Sequence, residues 1–469
     1  MSGELSRPES LQINAWSAAL DNRAALPPRL PWAQEERVRR AVKWLAPAAP
    51  VDERRWQHPD IGWGLLLPDD DALEPAAKAR ADDAPAPIRQ LLAARPGSPV
   101  LRWSAKLANY YLRRYYADGT AQDLSVAAPK PGVKDGYIPR YLLIYATPQQ
   151  IPWSVQYGLN MSTYVGRLDL SEQEGLGHYV EALLDDWAGS ACRPGAPVVW
   201  SVEHGQQDIT WLMARAVADR LWQRLENDGD LAGRLRLQGE LASRGALADA
   251  LAERRPGLVV TTSHGMTGPL NDAAALRAQL GAPVDLRHEA LRADDLRDWR
   301  PSGAIWYAHA CCSAGSDSES RYANLLAADS AIGQTLNGVA AAAGAMVAPL
   351  PRKLLGMPAP LRAFVGHVEP TFDWTLRDPT TKQVLTHVLA QSLYNDLFQQ
   401  DMRTPIGYAL RRVFDEAGAF HALWQDDKRK INANVPRMRD WALYHQLVSM
   451  DRQTLVILGD PTVALPPLA

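Results

Sequence analysis

Two short apolar runs constrain this chain more than any other feature. Gly257-Leu-Val-Val-Thr-Thr-Ser-His-Gly265 and Ala304-Ile-Trp-Tyr-Ala-His-Ala-Cys-Cys-Ser-Ala-Gly315 each open as a buried strand, then pass into small and polar residues that a strand interior does not choose. Open α/β sheets bind ligands beyond the carboxyl ends of their strands, so His264, Cys311 and Cys312 stand where a rigid element presents a side chain to solvent. Cys311 follows His264 by 47 residues, enough for one crossover between neighbouring parallel strands.

The chemistry of such a pair is direct. A free thiol is mostly protonated at neutral pH, and a neighbouring imidazole both supplies the thiolate and later protonates a leaving amine. Gly265, which has no Cβ, lets its backbone N–H approach a developing oxyanion, and the N–H of Cys311 is the natural second donor.

From Tyr137 onward, short apolar runs alternate with helical stretches, the pattern of a wound α/β protein. Strands are expected at Tyr141–Ala146, Pro197–Val202, the two runs above, Leu361–Val365 and Leu455–Leu458. Ser171 and Glu174 have capping-box spacing, Ile209 to Leu225 is amphipathic, and Arg234 to Arg254 reads as one further helix. Residues 1–130, rich in Ala, Pro, Arg and Asp, form a poorly defined flanking region with one short helix near Ile88–Ala94. A small α/β subdomain is expected over 137–225 and the catalytic subdomain over 226–469, with the active crevice between them.

Composition narrows the function. Fifty basic and 53 acidic residues leave a formal net charge of −3, which gives no reason to expect nucleic acid as a partner. Three cysteines, two of them adjacent, cannot build a disulfide framework. The opening Met-Ser-Gly-Glu-Leu-Ser-Arg lacks the signal-peptide pattern and no run of about 18 apolar residues occurs, so a cytoplasmic protein without membrane contact is expected.

Ser263-His264-Gly265 with Ala310-Cys311 resembles the His-Gly and Ala-Cys signatures of the caspase-like cysteine peptidases, a group that includes caspases, gingipains, separase and the CHAT proteins. The 47-residue spacing is close to the roughly 50 of caspases. The resemblance is nearest to gingipains and their bacterial CHAT-like relatives, and extends in family order over residues 137 to 466. It runs through Gln150-Ile-Pro152, Tyr164-Val-Gly-Arg167, Ser201-Val-Glu-His-Gly205, Gln207-Asp208, Val365-Gly-His-Val-Glu369 and Leu458-Gly-Asp-Pro-Thr462. It implies a three-layer α/β/α sandwich with a mostly parallel central sheet, and a cofactor-free cysteine endopeptidase acting on a protein or peptide. A gasdermin-like pore-forming protein is among the partners it implies. It makes Cys311 the nucleophile, His264 the proton shuttle and Glu203 the carboxylate that orients the histidine. Asp208 matches the acid of an arginine-specificity pocket, although its position also suits a helix N-cap. Asp317, Glu369 and Asp373 are alternative pocket acids, and cleavage after Arg or Lys follows from any of the four.

Other readings of the same residues stay open. Cys312 is the rival nucleophile; the resemblance, in which the nucleophile directly follows the Ala, selects Cys311 and leaves Cys312 a packing role, and period two keeps adjacent strand residues from serving equally. A metal sensor built on His309-Ala-Cys-Cys312 lacks further ligands at metal-binding spacing, so no metal is expected and His309 reads as an interior histidine. A catalytically inactive scaffold of the same fold is the alternative function; the intact His-Gly and Ala-Cys pair argues against it.

Overall fold

The structure, a computed structural model, describes residues 10–12, 23–25 and 51–468, except 324, 326, 379, 399–401 and 437. Residues 1–51 and 52–469 are two separate compact units. In the first, Ser10–Gln12 pairs antiparallel with Arg23–Ala25; the rest of the expected flanking region before residue 51 lies outside the described residues.

The second unit is built on one twelve-stranded sheet. Its strands, in chain order, are β1 (Trp63–Pro68), β2 (Val100–Trp103), β3 (Tyr111–Tyr115), β4 (Ala121–Ser125), β5 (Tyr141–Tyr145), β6 (Tyr164–Leu168), β7 (Val198–Ser201), β8 (Leu235–Leu237), β9 (Leu258–Thr262), β10 (Ile305–His309), β11 (Ala363–His367) and β12 (Leu455–Gly459). They lie in the order β8-β7-β9-β10-β11-β12-β6-β5-β1-β2-β3-β4. β7 to β11 run one way and β12, β6, β5, β1 and β2 the other, and the two parallel groups meet at an antiparallel seam between β11 and β12. β3 and β4 finish the sheet as an antiparallel hairpin.

Every residue of β6, β7, β9, β10, β11 and β12 is buried. Successive strand side chains point to opposite faces, so both faces of the sheet are covered, the condition of a layered α/β sandwich with a mostly parallel sheet. The helices used below are α1, which starts at Ile209–Met213 and continues through a π turn at Ala214–Ala218 into Asp219–Leu225, then α2 (Arg244–Arg254) and α3 (Ala331–Ala343). Among the described residues no helix is long and apolar enough to cross a membrane.

The sheet passes residue 225 without a break, and β1 to β4 come from the stretch read as a flanking region. The charged segment between β1 and β2 packs because its ions are paired. Fully buried Arg102 forms a fork with both oxygens of Asp83 at 2.7 Å and bonds the carbonyls of Pro68 and Lys78. Within Arg234–Arg254, read as one helix, Leu235–Leu237 is instead edge strand β8, and α2 begins only after Ser243, whose hydroxyl caps it. Three residues are too few to show a period.

Candidate active site

The site lies beyond the carboxyl ends of β7, β9, β10 and β11, which all point the same way. Thr262 of β9 pairs with both Ser201 of β7 and His309 of β10. The next residues of each chain segment therefore leave the sheet at one level, with Glu203-His204, His264-Gly265 and Cys311 side by side. A Cβ on Gly265 would come 1.9 Å from the Cys311 carbonyl oxygen, so the His-Gly turn rests directly on the cysteine backbone and only glycine fits. Among the described residues neither the Gly265 nor the Cys311 amide donates to a backbone carbonyl, which leaves both able to turn to an oxyanion.

Cys311 and Cys312 part company at this turn. Cys312 adopts a left-handed conformation, φ 54°, and sends its side chain into an apolar cluster with Leu276, Leu280, Val339 and Ala343. Cys311 is only partly buried, and its Sγ accepts from the amide of the cleft residue Thr371 at 3.4 Å, with the Thr371 hydroxyl at 4.0 Å. Burial pushes the Cys311 thiol up and the Thr371 donors offset part of this, so a thiolate there needs a cationic neighbour. Buried Ser313 braces the turn, donating to the Ala308 carbonyl at 3.1 Å and accepting from the His367 amide at 3.0 Å.

The carboxylate on His264 is Asp208 rather than Glu203. Asp208 Oδ2 lies 3.0 Å from His264 Nε2, while Oδ1 accepts the Thr210 amide at 2.8 Å and the Thr210 hydroxyl at 2.5 Å, capping α1. Burial pushes the Asp208 carboxyl up, but the Thr210 donors and then the His264 ring outweigh it and hold the group down at about 2. An ionised carboxylate only accepts, so Nε2 carries hydrogen and Nδ1 is the nitrogen left for proton exchange. Glu203 turns away and pairs with Arg215 at 2.8 Å, whose guanidinium lies 4.1 Å above the Trp211 ring.

The other acids divide. Glu369 is buried, accepts from the Ser320 hydroxyl at 2.6 Å and the Arg321 amide at 2.9 Å, and so ties down the loop after the cysteines. Asp317 bonds the Ser318 amide, and with Glu369 lines a small space beside Cys312 rather than the crevice. Asp373 does reach the crevice, a cleft of about 580 Å³ whose walls include Asp208, Trp211, Ile332, Thr371 and Arg377. His309 is buried, with Nδ1 2.8 Å from the Tyr307 hydroxyl, and burial holds its ring neutral by lowering its pKa to about 3. Among the described residues no group of three or more His, Cys, Asp or Glu is arranged to hold a metal. Sequence reasoning missed Thr371 and Ser313, which carry no motif, and read Asp208 as pocket or cap without its tie to His264.

No family model and no curated protein matches the chain. Among solved structures, a chain in the crystal structure of the Saccharomyces cerevisiae separase–securin complex at 3.0 Å resolution is similar, with a TM-score of 0.35 and 10% identity. The match covers 73% of this chain and 16% of that one, so this chain spans less than a fifth of the length of the protein it resembles.

Proposed function

We propose that this protein is a cysteine endopeptidase with Cys311 as nucleophile, His264 as proton carrier and Asp208 as the carboxylate that orients the imidazole. The observation that carries it is the convergence of His264 and Cys311 at the level ends of paired strands β9 and β10, with Asp208 on the outer nitrogen of the ring. Cys311 Sγ attacks the substrate carbonyl carbon as its proton passes to His264 Nδ1, and the Gly265 and Cys311 amides receive the oxyanion. Collapse breaks the C–N bond, with the proton on Nδ1 going to the departing amine. Water, deprotonated by the same nitrogen, then hydrolyses the thioester and restores the thiol.

The cleft supports a preference for Arg, then Lys, before the cut. Asp208 is spent on Thr210 and His264, so Asp373 is the acid to meet the cation, with the aliphatic stem lying along Trp211 and Ile332. The motif resemblance adds a protein or peptide substrate met in the cytoplasm, a gasdermin-like pore-forming protein among them. Coexpression of such proteins with wild type and with Cys311→Ala, read as cleavage on a gel, tests that part. The test of the chemistry is an arginine acyloxymethyl ketone. Wild type should become covalently labelled and Cys311→Ala should not; absence of labelling on wild type moves the reading to a non-catalytic scaffold.

A further inference from the structure

Three imidazoles, those of His264, His204 and His288, form a stack, and the chemistry above uses one of them. The His204 ring lies 5.6 Å from that of His264 at an interplanar angle of 20°, and 4.0 Å from that of His288 at 25°. His204 is also tied to the catalytic carboxylate through its backbone. Its amide donates to Thr210 Oγ1 at 3.0 Å, and that hydroxyl donates to Asp208 Oδ1, whose other oxygen meets His264. The four residues close a ring in which the His204 side chain stacks on the imidazole while its amide holds the Thr210 hydroxyl that in turn bonds the carboxylate gripping the edge.

His288 is held in place at a cost. It is a non-glycine residue with φ 62°, in a turn where its amide donates to the Asp285 carbonyl at 2.9 Å and Asp285 Oδ1 accepts the amides of Arg287 and Glu289. Such backbone persists only where the surroundings enforce it. Among the described residues the His204 Nε2 is buried without a partner, so a plain packing residue would be cheaper there.

We propose that His204, backed by His288, is a positioning residue for His264: its ring is one wall of the slot that keeps Nε2 on Asp208 and frees Nδ1 for proton exchange. The inference rests on the cysteine-peptidase reading. The charged or titratable groups around His204 are Asp208 on α1, Asp285 and His288 on the turn, and His264 itself. Burial first, then His288 and His264, disfavour a proton on His204, so the wall stays neutral beside a ring that must take up charge.

The test compares His204→Ala, which removes the wall, with His204→Phe, which keeps a flat ring without nitrogens. Two readouts are taken: the pH profile of Cys311 alkylation by iodoacetamide, and kcat and KM on a cleaved peptide. His204→Ala should lose about tenfold or more in kcat with KM nearly unchanged, and its alkylation profile should move toward that of a free thiol near 8.5. His204→Phe should recover most of both. If His204→Ala unfolds, His288→Gly, which suits the left-handed backbone and withdraws the backing ring, should give the same change in smaller measure. Wild-type behaviour of His204→Ala, or equal loss in the Ala and Phe variants, overturns the proposal while the dyad stands. Identical alkylation profiles for wild type and His264→Ala overturn the dyad, and this inference with it.

Discussion

Asp208 Oδ2 lies 3.0 Å from His264 Nε2 while Oδ1 of the same carboxylate caps α1 through Thr210. One side chain thereby fixes both a helix start and the tautomer of the His264 ring. Asp208→Asn separates the two duties, because asparagine caps a helix about as well but cannot offer an acceptor-only oxygen pair to the ring. We expect Asp208→Asn to keep its fold and to lose about a thousandfold in kcat, and Glu203→Gln, whose partner is Arg215, to lose less than about tenfold. Steady-state kinetics on one peptide decides; the reverse ranking returns the orienting role to Glu203.

The same carboxyl gives a pH signature. Its folded value, about 2, is below the roughly 3.9 of an unfolded aspartate, so its contribution to stability is present above about pH 4 and is lost as pH falls toward 2. Urea unfolding of wild type and Asp208→Asn between these limits should show a gap that narrows with acid. A constant gap would mean that the carboxylate is not held by its partners.

Gly265→Ala should inactivate. The new Cβ meets the Cys311 carbonyl oxygen at 1.9 Å, a backbone atom that no rotamer change can move aside, so the His-Gly turn must move off the cysteine. A loss of about 1–3 kcal/mol of stability is expected together with loss of ketone labelling. Normal labelling of a stable variant would disprove the close approach.

Cys311→Ala should abolish labelling with little effect on stability. Cys312→Ala should keep labelling and lose on the order of 1 kcal/mol, since it vacates part of a buried cluster. Thermal melts and mass spectrometry of the labelled chain read both, and a label on Cys312 would exchange the two roles.

For specificity, a peptide library varied before the cut should favour Arg over Lys on wild type and lose that bias on Asp373→Ala. A bias toward acidic residues would instead assign the cleft to Arg377, which lines it too.

The sequence made the central strands legible because β5, β7, β9, β10 and β12 are continuous apolar runs with both faces buried, each giving way at its end to small and polar residues. β3 and β4 were not legible, since Arg113, Arg114 and Asp123 place charge inside short strands whose pairing with each other and with β2 is set by contacts far apart in the chain. Within the site, His264, Gly265 and the Cys311-Cys312 pair could be read from strand endings, and the choice of Cys311 over Cys312 from the Ala-Cys resemblance. The partner of His264 could not, for Glu203 and Asp208 both come after β7 within a few residues, and which of them turns toward the ring depends on where α1 starts and on Arg215.

The left-handed turn at Cys312 also isolates the reactive sulfur in redox terms. Of the three thiols in the chain, Cys312 faces the apolar cluster, and Cys192 lies against the carbonyls of Pro256 and Gly303, which precede β9 and β10, whereas Cys311 stands beyond their far ends. A sulfenic acid formed on Cys311 has no resolving thiol within reach in its own unit. On the cysteine-peptidase reading, its recovery would come from a small thiol entering the cleft, and prolonged peroxide would carry it on to the sulfinic acid, which the chain cannot reverse by itself.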